Sequence, residues 1–449
     1  LRQTMELKNF LELFRDFPQI EQTAKVLSRP NSHIHWKGHV GSSRSISAIA
    51  VAEQAPGHHV FILNDKEEAA YFLNDLEGIY PEDKRILFYP SSCQVPYQFE
   101  ETDNANVVHR AEILERVANG FNTWIVTYPE ALFEKVPTKK KLIDNTLRLE
   151  VGKNYSIDFI NELLLEYHFD RVDFVYEPGQ FSIRGGLVDV FSYANDTPFR
   201  IEFFGDEIET IRTFDASTQL SLKSHSFFNV IPNIQGQISL EGIGSFFEFI
   251  GPTAIIWLSS HERLLQIISR EYAKAEVIFE KLVDTVKHTL PANRYLNERE
   301  LKQSLENYKT IEWGSDFYFK TQDSIHFDFT PQPNFNKNFD LLKTDLLSRQ
   351  ENNFENLIFS NQPRQIERLF QIFEDIGGDV SFSPMHLALQ EGFISPSMKL
   401  VCYTDHQIFE RYHRFRLKEG FRQAKQALTL KEIYNLQKGD YITHIDHGV

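Results

Sequence analysis

The sequence predicts an α/β protein in three parts. A mainly parallel-sheet domain is interrupted by a small α+β insert and followed by a separate small α/β unit. Short apolar runs at 59–63, 86–89 and 124–127 alternate with stretches of helical periodicity, the pattern of a parallel sheet. From about Arg148 this gives way to closely spaced two-residue alternation. After about residue 220 the first pattern returns around the apolar run 254–258.

Taken in order, Leu7, Phe10, Leu11 and Phe14 share a helical face, and Pro18 closes that helix. Gly57 and Asn64-Asp65 bound the run 59–63, which reads as a buried strand leading into an N-capped helix. That helix carries Ala69, Phe72, Leu73 and Leu76. Strands at 86–89 and 124–127, with a helix between them, complete the first part, 1–136. Lys139-Lys140-Lys141 reads as a solvated linker into the insert, 137–215. There a helix near 156–167 precedes a strand stretch, 181–191. Phe181, Ile183, Gly185, Leu187, Asp189 and Phe191 form one of its faces; Ser182, Arg184, Gly186, Val188 and Val190 form the other. Segments 199–204 and 207–214 read as a hairpin around Gly205-Asp206.

The second part of the α/β domain is expected over 216–320. Pro331, Pro333 and several asparagines make 313–337 read as a linker. The unit at 338–404 combines a strand at 356–359 with a helix capped by Ser360 and bearing Ile366, Leu369, Phe370 and Phe373. Gly377-Gly378 stop that helix, and a further strand follows at 399–403. A charged connecting helix is expected over 405–435, and a new element from 436.

A chain of 449 residues is too long for one core; at roughly 150 residues per domain, three are expected. Apolar residues at 41% and charged residues at 24% exclude a disordered or collagen-like chain. No apolar run is long enough to suggest a transmembrane helix. A net charge of −16 argues against capture of nucleic acid by bulk electrostatics. Two distant cysteines, Cys93 and Cys402, exclude a disulfide framework and a four-thiolate zinc site, so a reducing cytoplasm is expected. The start at Leu1 and the stop at Val449 lead us to expect a fragment of a longer protein.

Gly38-His39-Val40-Gly41-Ser42-Ser43-Arg44-Ser45 stands where a phosphate loop of the form G-x-x-x-x-G-K-S/T would stand. Two chemical positions differ. Ser43 replaces the second glycine, and Arg44 replaces the lysine that reaches the β- and γ-phosphates. Ser45 keeps the hydroxyl that meets magnesium. The matching half-site, an apolar strand ending in carboxylates, reads Leu258-Ser259-Ser260-His261 and has no acid. A hydrated magnesium ion needs carboxylate oxygen. Both half-sites are degenerate, which argues against hydrolysis. His33, His35 and His447 have no matching ligands in sequence, and no cofactor is expected.

The polar residues that stand out lie in the insert: Arg171 before Val172-Asp173, the Arg184-Gly185-Gly186 set within the strand, Asp189, and Arg200. Glycine lets a partner approach the backbone, and arginine is favoured at interfaces. The alternative is internal pairing of Arg184 with Asp173 or Asp189.

The runs 181–191 and 199–208, with Phe214-Asp215 and Thr218-Gln219, resemble the bacterial transcription-repair coupling factors, in the module they share with the excision-repair protein UvrB. The run 438–449 is similar to the opening of that family's RNA-polymerase-interacting domain, and the resemblance extends over essentially the whole chain. It implies a degenerate P-loop NTPase-like (UvrB-like) domain whose loop and strand end have lost their ATPase chemistry. It also implies an insert that recruits UvrA by mimicking UvrB, through Arg171, Arg184, Phe191 and Arg200. The family's motor would lie beyond residue 449, so no ATP hydrolysis is expected of this chain, and its RNA polymerase site would be incomplete. The stretch between Tyr89 and Thr102 is short for the DNA-clamping hairpin of UvrB, so DNA binding would be weak or absent. The family architecture implies a monomer. Two other readings remain open: an NTP-binding enzyme with an unorthodox Arg44 loop, and a DNA-holding module using the insert's arginines.

Overall fold

Three apolar runs are buried at every residue, His59–Ile62, Trp124–Thr127 and Ile255–Leu258, as strands covered on both faces must be. They form the middle of a sheet ordered Ser324–His326, His33–Lys37, Lys309–Glu312, Ile255–Leu258, His59–Ile62, Trp124–Thr127, Ile86–Phe88, and every neighbour pair is parallel. The computed structural model describes residues 5–92, 95–98, 104–232, 242–282, 289–377 and 379–411. These fall into two compact units, one spanning Arg148–Pro232 and the other built from the segments on either side of it.

In the larger unit, helices Ser43–Gln54 and Lys66–Ile79 follow their strands as expected, and Asp65 caps the second through Glu68 N–H. Pro18 ends one helix and also begins another, Pro18–Leu27, because proline suits the first helical turn. The lysine run is not a linker: Thr138 caps it into a short helix, Lys139–Asp144. Nor is 313–337 a linker. Ser324–His326 adds an edge strand to the large sheet, and Thr330–Pro331 pairs with Phe393–Ser395 in the next one.

Aromatic residues fill the core, with their polar tips bonded as buried indoles require. Trp36 donates to Thr23, Trp313 to Ser259, and Trp257 to His59 Nδ1. His59 passes its other nitrogen to the Ala55 carbonyl at 2.7 Å, so it is the neutral Nε2–H tautomer; burial holds its pKa down at about 4.

The 338–404 region forms a mixed five-stranded sheet, ordered Thr330–Pro331, Phe393–Ser395, Leu400–Thr404, Glu355–Phe359, Ser383–Met385. Helices Phe339–Glu351 and Pro363–Asp375 pack on it through Leu342, Leu346, Ile366 and Leu369. Ser360 is not the cap of the second helix. Gln362 takes that position, and the Ser360 hydroxyl instead bridges Gln362 N–H and Asp405. This region packs on the first helix through Phe10 against Phe359 and Phe14 against Phe393, with ring centroids 5.3 and 6.1 Å apart. Of the connecting helix expected over 405–435, Asp405–Ile408 is a short helix. Residues 412–449, including the expected start of a polymerase-interacting domain and His447, lie outside the described residues.

The Arg148–Pro232 unit is a six-stranded sheet ordered Ser221–His225, Glu207–Phe214, Phe199–Phe204, Leu187–Val190, Gln180–Arg184, Asp170–Arg171. It runs past residue 215 because Ser221–His225 extends the sheet and Phe227–Val230 pairs with Leu147–Glu150. The stretch 181–191 is not one strand but a hairpin, with Arg184 opposite Leu187 and Gly185-Gly186 as its turn. Gly185 has φ +61, and a Cβ on Gly186 would stand 2.9 Å from the Phe203 carbonyl oxygen, so both positions demand glycine.

Candidate functional site

The segment 38–45, expected to be a degenerate phosphate loop, leads from the His33–Lys37 strand into the Ser43–Gln54 helix. Its own atoms occupy the Val40 and Ser43 amides. The Ser43 hydroxyl, buried, donates to the Val40 carbonyl at 2.6 Å and accepts from Val40 N–H at 3.1 Å. Ser43 N–H returns to the Val40 carbonyl. Thus Ser43, at the position where the phosphate-loop pattern has glycine, ties the loop to itself. Arg44 pairs with Glu68 at 3.2 Å. Ser45 Oγ lies 2.7 Å from Asp75 Oδ2 and 2.9 Å from the Ser42 carbonyl. Gly38 and Gly41 keep positive φ, at 84° and 49°. Burial pushes the Asp75 pKa up to about 6, against the hydrogen bonds from Ser45, Ser42 and Gln390 N–H. His39, half-buried within the loop, has its pKa lowered chiefly by burial, with the Arg44 charge acting in the same direction.

At the other half-site Leu258 is buried, and the Ser259 hydroxyl accepts from the Trp313 indole at 2.8 Å. Where the pattern has carboxylates to hold hydrated magnesium, there is a serine hydroxyl bonded to an indole. Among the described residues no cluster of three or more His, Cys, Asp or Glu side chains is placed to hold a metal ion. His33 and His35 are bonded instead to Thr310 and the Phe319 carbonyl.

On the insert, Asp189 organises the arginines. It is 0% exposed and accepts from Arg200 Nε at 2.8 Å, Arg200 Nη2 at 2.9 Å and Arg184 Nη2 at 2.5 Å. The pairing raises the already high Arg200 pKa. Arg184 also donates to the Asp173 carbonyl and to Ser182, so internal pairing with Asp189 is real. The Arg184 side chain is still 35% exposed, against 15% for Arg200. Arg171 is exposed on the edge strand. Phe191 does not belong to this face: it is 1% exposed, in the core of the sheet. It follows Val190 where the strand ends, so two-residue alternation no longer sets its direction.

One residue escaped the sequence reading. Phe174 is 51% exposed, and its ring lies under the Arg184 guanidinium with 5.1 Å from Cζ to the centroid. A cation over an exposed ring is a common recognition element. The available signal was an aromatic directly after Arg171-Val172-Asp173. Its meaning depends on a partner ten positions later, which spacing cannot supply.

The UvrB interaction domain family matches residues 147–235, nearly the extent of the insert. The transcription-repair-coupling factor of Bacillus subtilis is 21% identical to this chain, over 91% of the chain and 41% of the relative. That of Borreliella burgdorferi is 23% identical over 88% and 37%, and that of Myxococcus xanthus 32% identical over 33% and 12%. The chain thus spans about two fifths of the length of the first of these relatives. No described helix is long and apolar enough to cross a membrane. The chain thus carries an insert matched as a UvrB interaction domain and is similar over nine tenths of its length to a transcription-repair-coupling factor.

Proposed function

We propose that this chain is a non-motor adaptor of transcription-coupled nucleotide-excision repair that recruits UvrA through its insert, by the same means as UvrB. The observation that carries this reading is the UvrB interaction domain match over 147–235, which coincides with a separately folded unit. On that unit Arg171, Arg184 and Phe174 form the contact group we assign to UvrA, and Arg200 acts from behind through Asp189. A half-exposed ring and a guanidinium fixed by a buried carboxylate suit a hot spot, since little rotamer freedom remains to be lost on binding.

The chain hydrolyses no ATP in this reading, because Arg44 pairs with Glu68 and the Ile255–Leu258 strand ends in Leu258 and Ser259. The DNA-holding alternative is weaker. The Asp189 carboxylate offsets part of the charge of Arg184 and Arg200, and the net charge of the chain is −16. RNA polymerase would be a partner of the whole protein. We further propose that the chain is monomeric and works in the cytoplasm. Capture by immobilised UvrA tests the adaptor role: the wild-type chain should be retained and Phe174→Ala largely lost, whereas equal retention of both would refute this contact group.

A further inference from the structure

The 338–404 region has no role in the reading above, yet one of its turns lies directly on the phosphate loop. Ser42 N–H donates to the Glu391 carbonyl at 3.1 Å, and Glu391 N–H returns to Ser42 Oγ at 3.1 Å. Gln390 N–H donates to Asp75 Oδ1 at 2.8 Å. A Cβ on Gly41 would meet Glu391 Cβ at 2.9 Å and the Glu391 and Gly392 carbonyl oxygens at 3.1 Å, so the contact is backbone against backbone. We propose that the former phosphate loop is a binding site for a peptide turn of the same chain, and that the turn 389–392 is its resident ligand.

The chemistry fits. A helix N-terminus that follows a phosphate loop offers amide hydrogens and positive potential to an anion. Here a peptide carbonyl, the weaker acceptor, takes the Ser42 amide where a phosphate oxygen would sit. The turn is held from behind as well. Its Gln390 carbonyl faces His406 Nε2 at 2.8 Å, and its Gly392 N–H donates to Gln407 Oε1 at 2.7 Å. A Cβ on Gly392 would stand 2.6 Å from the Cys402 carbonyl oxygen, so the turn cannot retreat into its own sheet. Leu387 and Ala388, just before it, close over Gly78 of the helix that carries Asp75. The loop's degeneration and the turn's presence are therefore one device. It exchanges a nucleotide for a fixed joint between two sheets, and restoring Ser43→Gly and Arg44→Lys would not by itself readmit a nucleotide.

Hydrogen–deuterium exchange on the whole chain tests this, following peptides over 38–46, 387–393 and 355–359. In the wild type the first two should be strongly protected. Ser42→Ala and Asp75→Ala should speed exchange in both together by tenfold or more, with 355–359 unchanged. Ser42→Ala removes a single hydroxyl and keeps the test usable if Asp75→Ala does not fold. With Ser43→Gly/Arg44→Lys, millimolar magnesium ATP should leave the protection of 38–46 unchanged. Four results would overturn the proposal: 387–393 exchanging at free-peptide rates in the wild type; release of 387–393 without 38–46; no response of either peptide to the variants; or protection of the loop by magnesium ATP while 387–393 stays protected.

Discussion

Asp189 grips the guanidinium of Arg200 with two bonds, Oδ1 to Nε at 2.8 Å and Oδ2 to Nη2 at 2.9 Å, from a position with no solvent exposure. Its second oxygen also takes Arg184. One carboxylate therefore fixes both Arg184, in the contact group proposed to meet UvrA, and Arg200, which supports it; Arg171, also in that group, stands at the sheet edge.

Removing that carboxylate should be far more damaging than removing the Arg184 cation. Asp189→Ala leaves two guanidinium groups without their counter-charge and should destabilise the insert by about 3 kcal/mol. Arg184→Ala leaves Asp189 still held by Arg200, and its partly exposed pair should cost about 1 kcal/mol. Urea unfolding followed by far-ultraviolet circular dichroism separates the two. Equal losses would show that Asp189 does not organise both arginines. For the same reason Arg184→Glu is a poor probe of the surface, because it sets a second carboxylate against Asp189.

Asp75 predicts a pH dependence of the larger unit. Its folded pKa of about 6 lies above the ordinary carboxylate value, so the folded state holds the proton more tightly than the unfolded chain. The benefit is present below about pH 4 and is lost as pH rises to about 6, an effect on the order of 2–3 kcal/mol. Asp75→Asn keeps the acceptor for Gln390 N–H and donates to Ser45 Oγ, which can still donate to the Ser42 carbonyl. It should be as stable as the wild type near pH 4 and more stable above pH 6. All four tryptophans, Trp36, Trp124, Trp257 and Trp313, lie in this unit, so their fluorescence in urea reports it alone. A wild-type minus variant difference that is flat with pH would contradict the assignment.

Magnesium ATP at millimolar concentration should leave the melting temperature unchanged within error. A ligand that binds the native state must raise it by mass action. A rise of several degrees would revive the enzyme reading.

Duplex DNA should show no micromolar affinity in fluorescence anisotropy at about 50 mM salt, where phosphate contacts are strongest. Binding that weakens steeply with added salt would favour the DNA-holding alternative.

The sequence made the large sheet readable because its central strands are uninterrupted apolar runs, as at 59–62 and 255–258. Elements held by distant partners were harder to read. Ser324–His326 is a strand because His33–Lys37 lies beside it, and its asparagine- and proline-rich flanks gave a linker signature. Arg184-Gly185-Gly186 read as strand because alternation persists across a two-residue turn. At the candidate sites the departure of Ser43 and Arg44 from the phosphate-loop pattern is visible in residue identity. The turn at 389–392 that fills the loop lies some 350 positions away and has no local motif. Phe191 and Phe174 show the same limit in opposite directions: two aromatics in one insert, and only the fold tells which is buried.

The first experiment to perform is a calorimetric titration of purified UvrA with four proteins: the wild-type chain, Phe174→Ala, Arg171→Glu and Asp75→Asn. All should first be matched for folding by circular dichroism. The adaptor reading predicts saturable binding by the wild type and by Asp75→Asn, with affinity reduced tenfold or more for Phe174→Ala and Arg171→Glu, since a loss of about 1.4 kcal/mol is tenfold. No heat from the folded wild-type chain would contradict recruitment of UvrA by this protein. Undiminished affinity in both insert variants would contradict the surface assigned here.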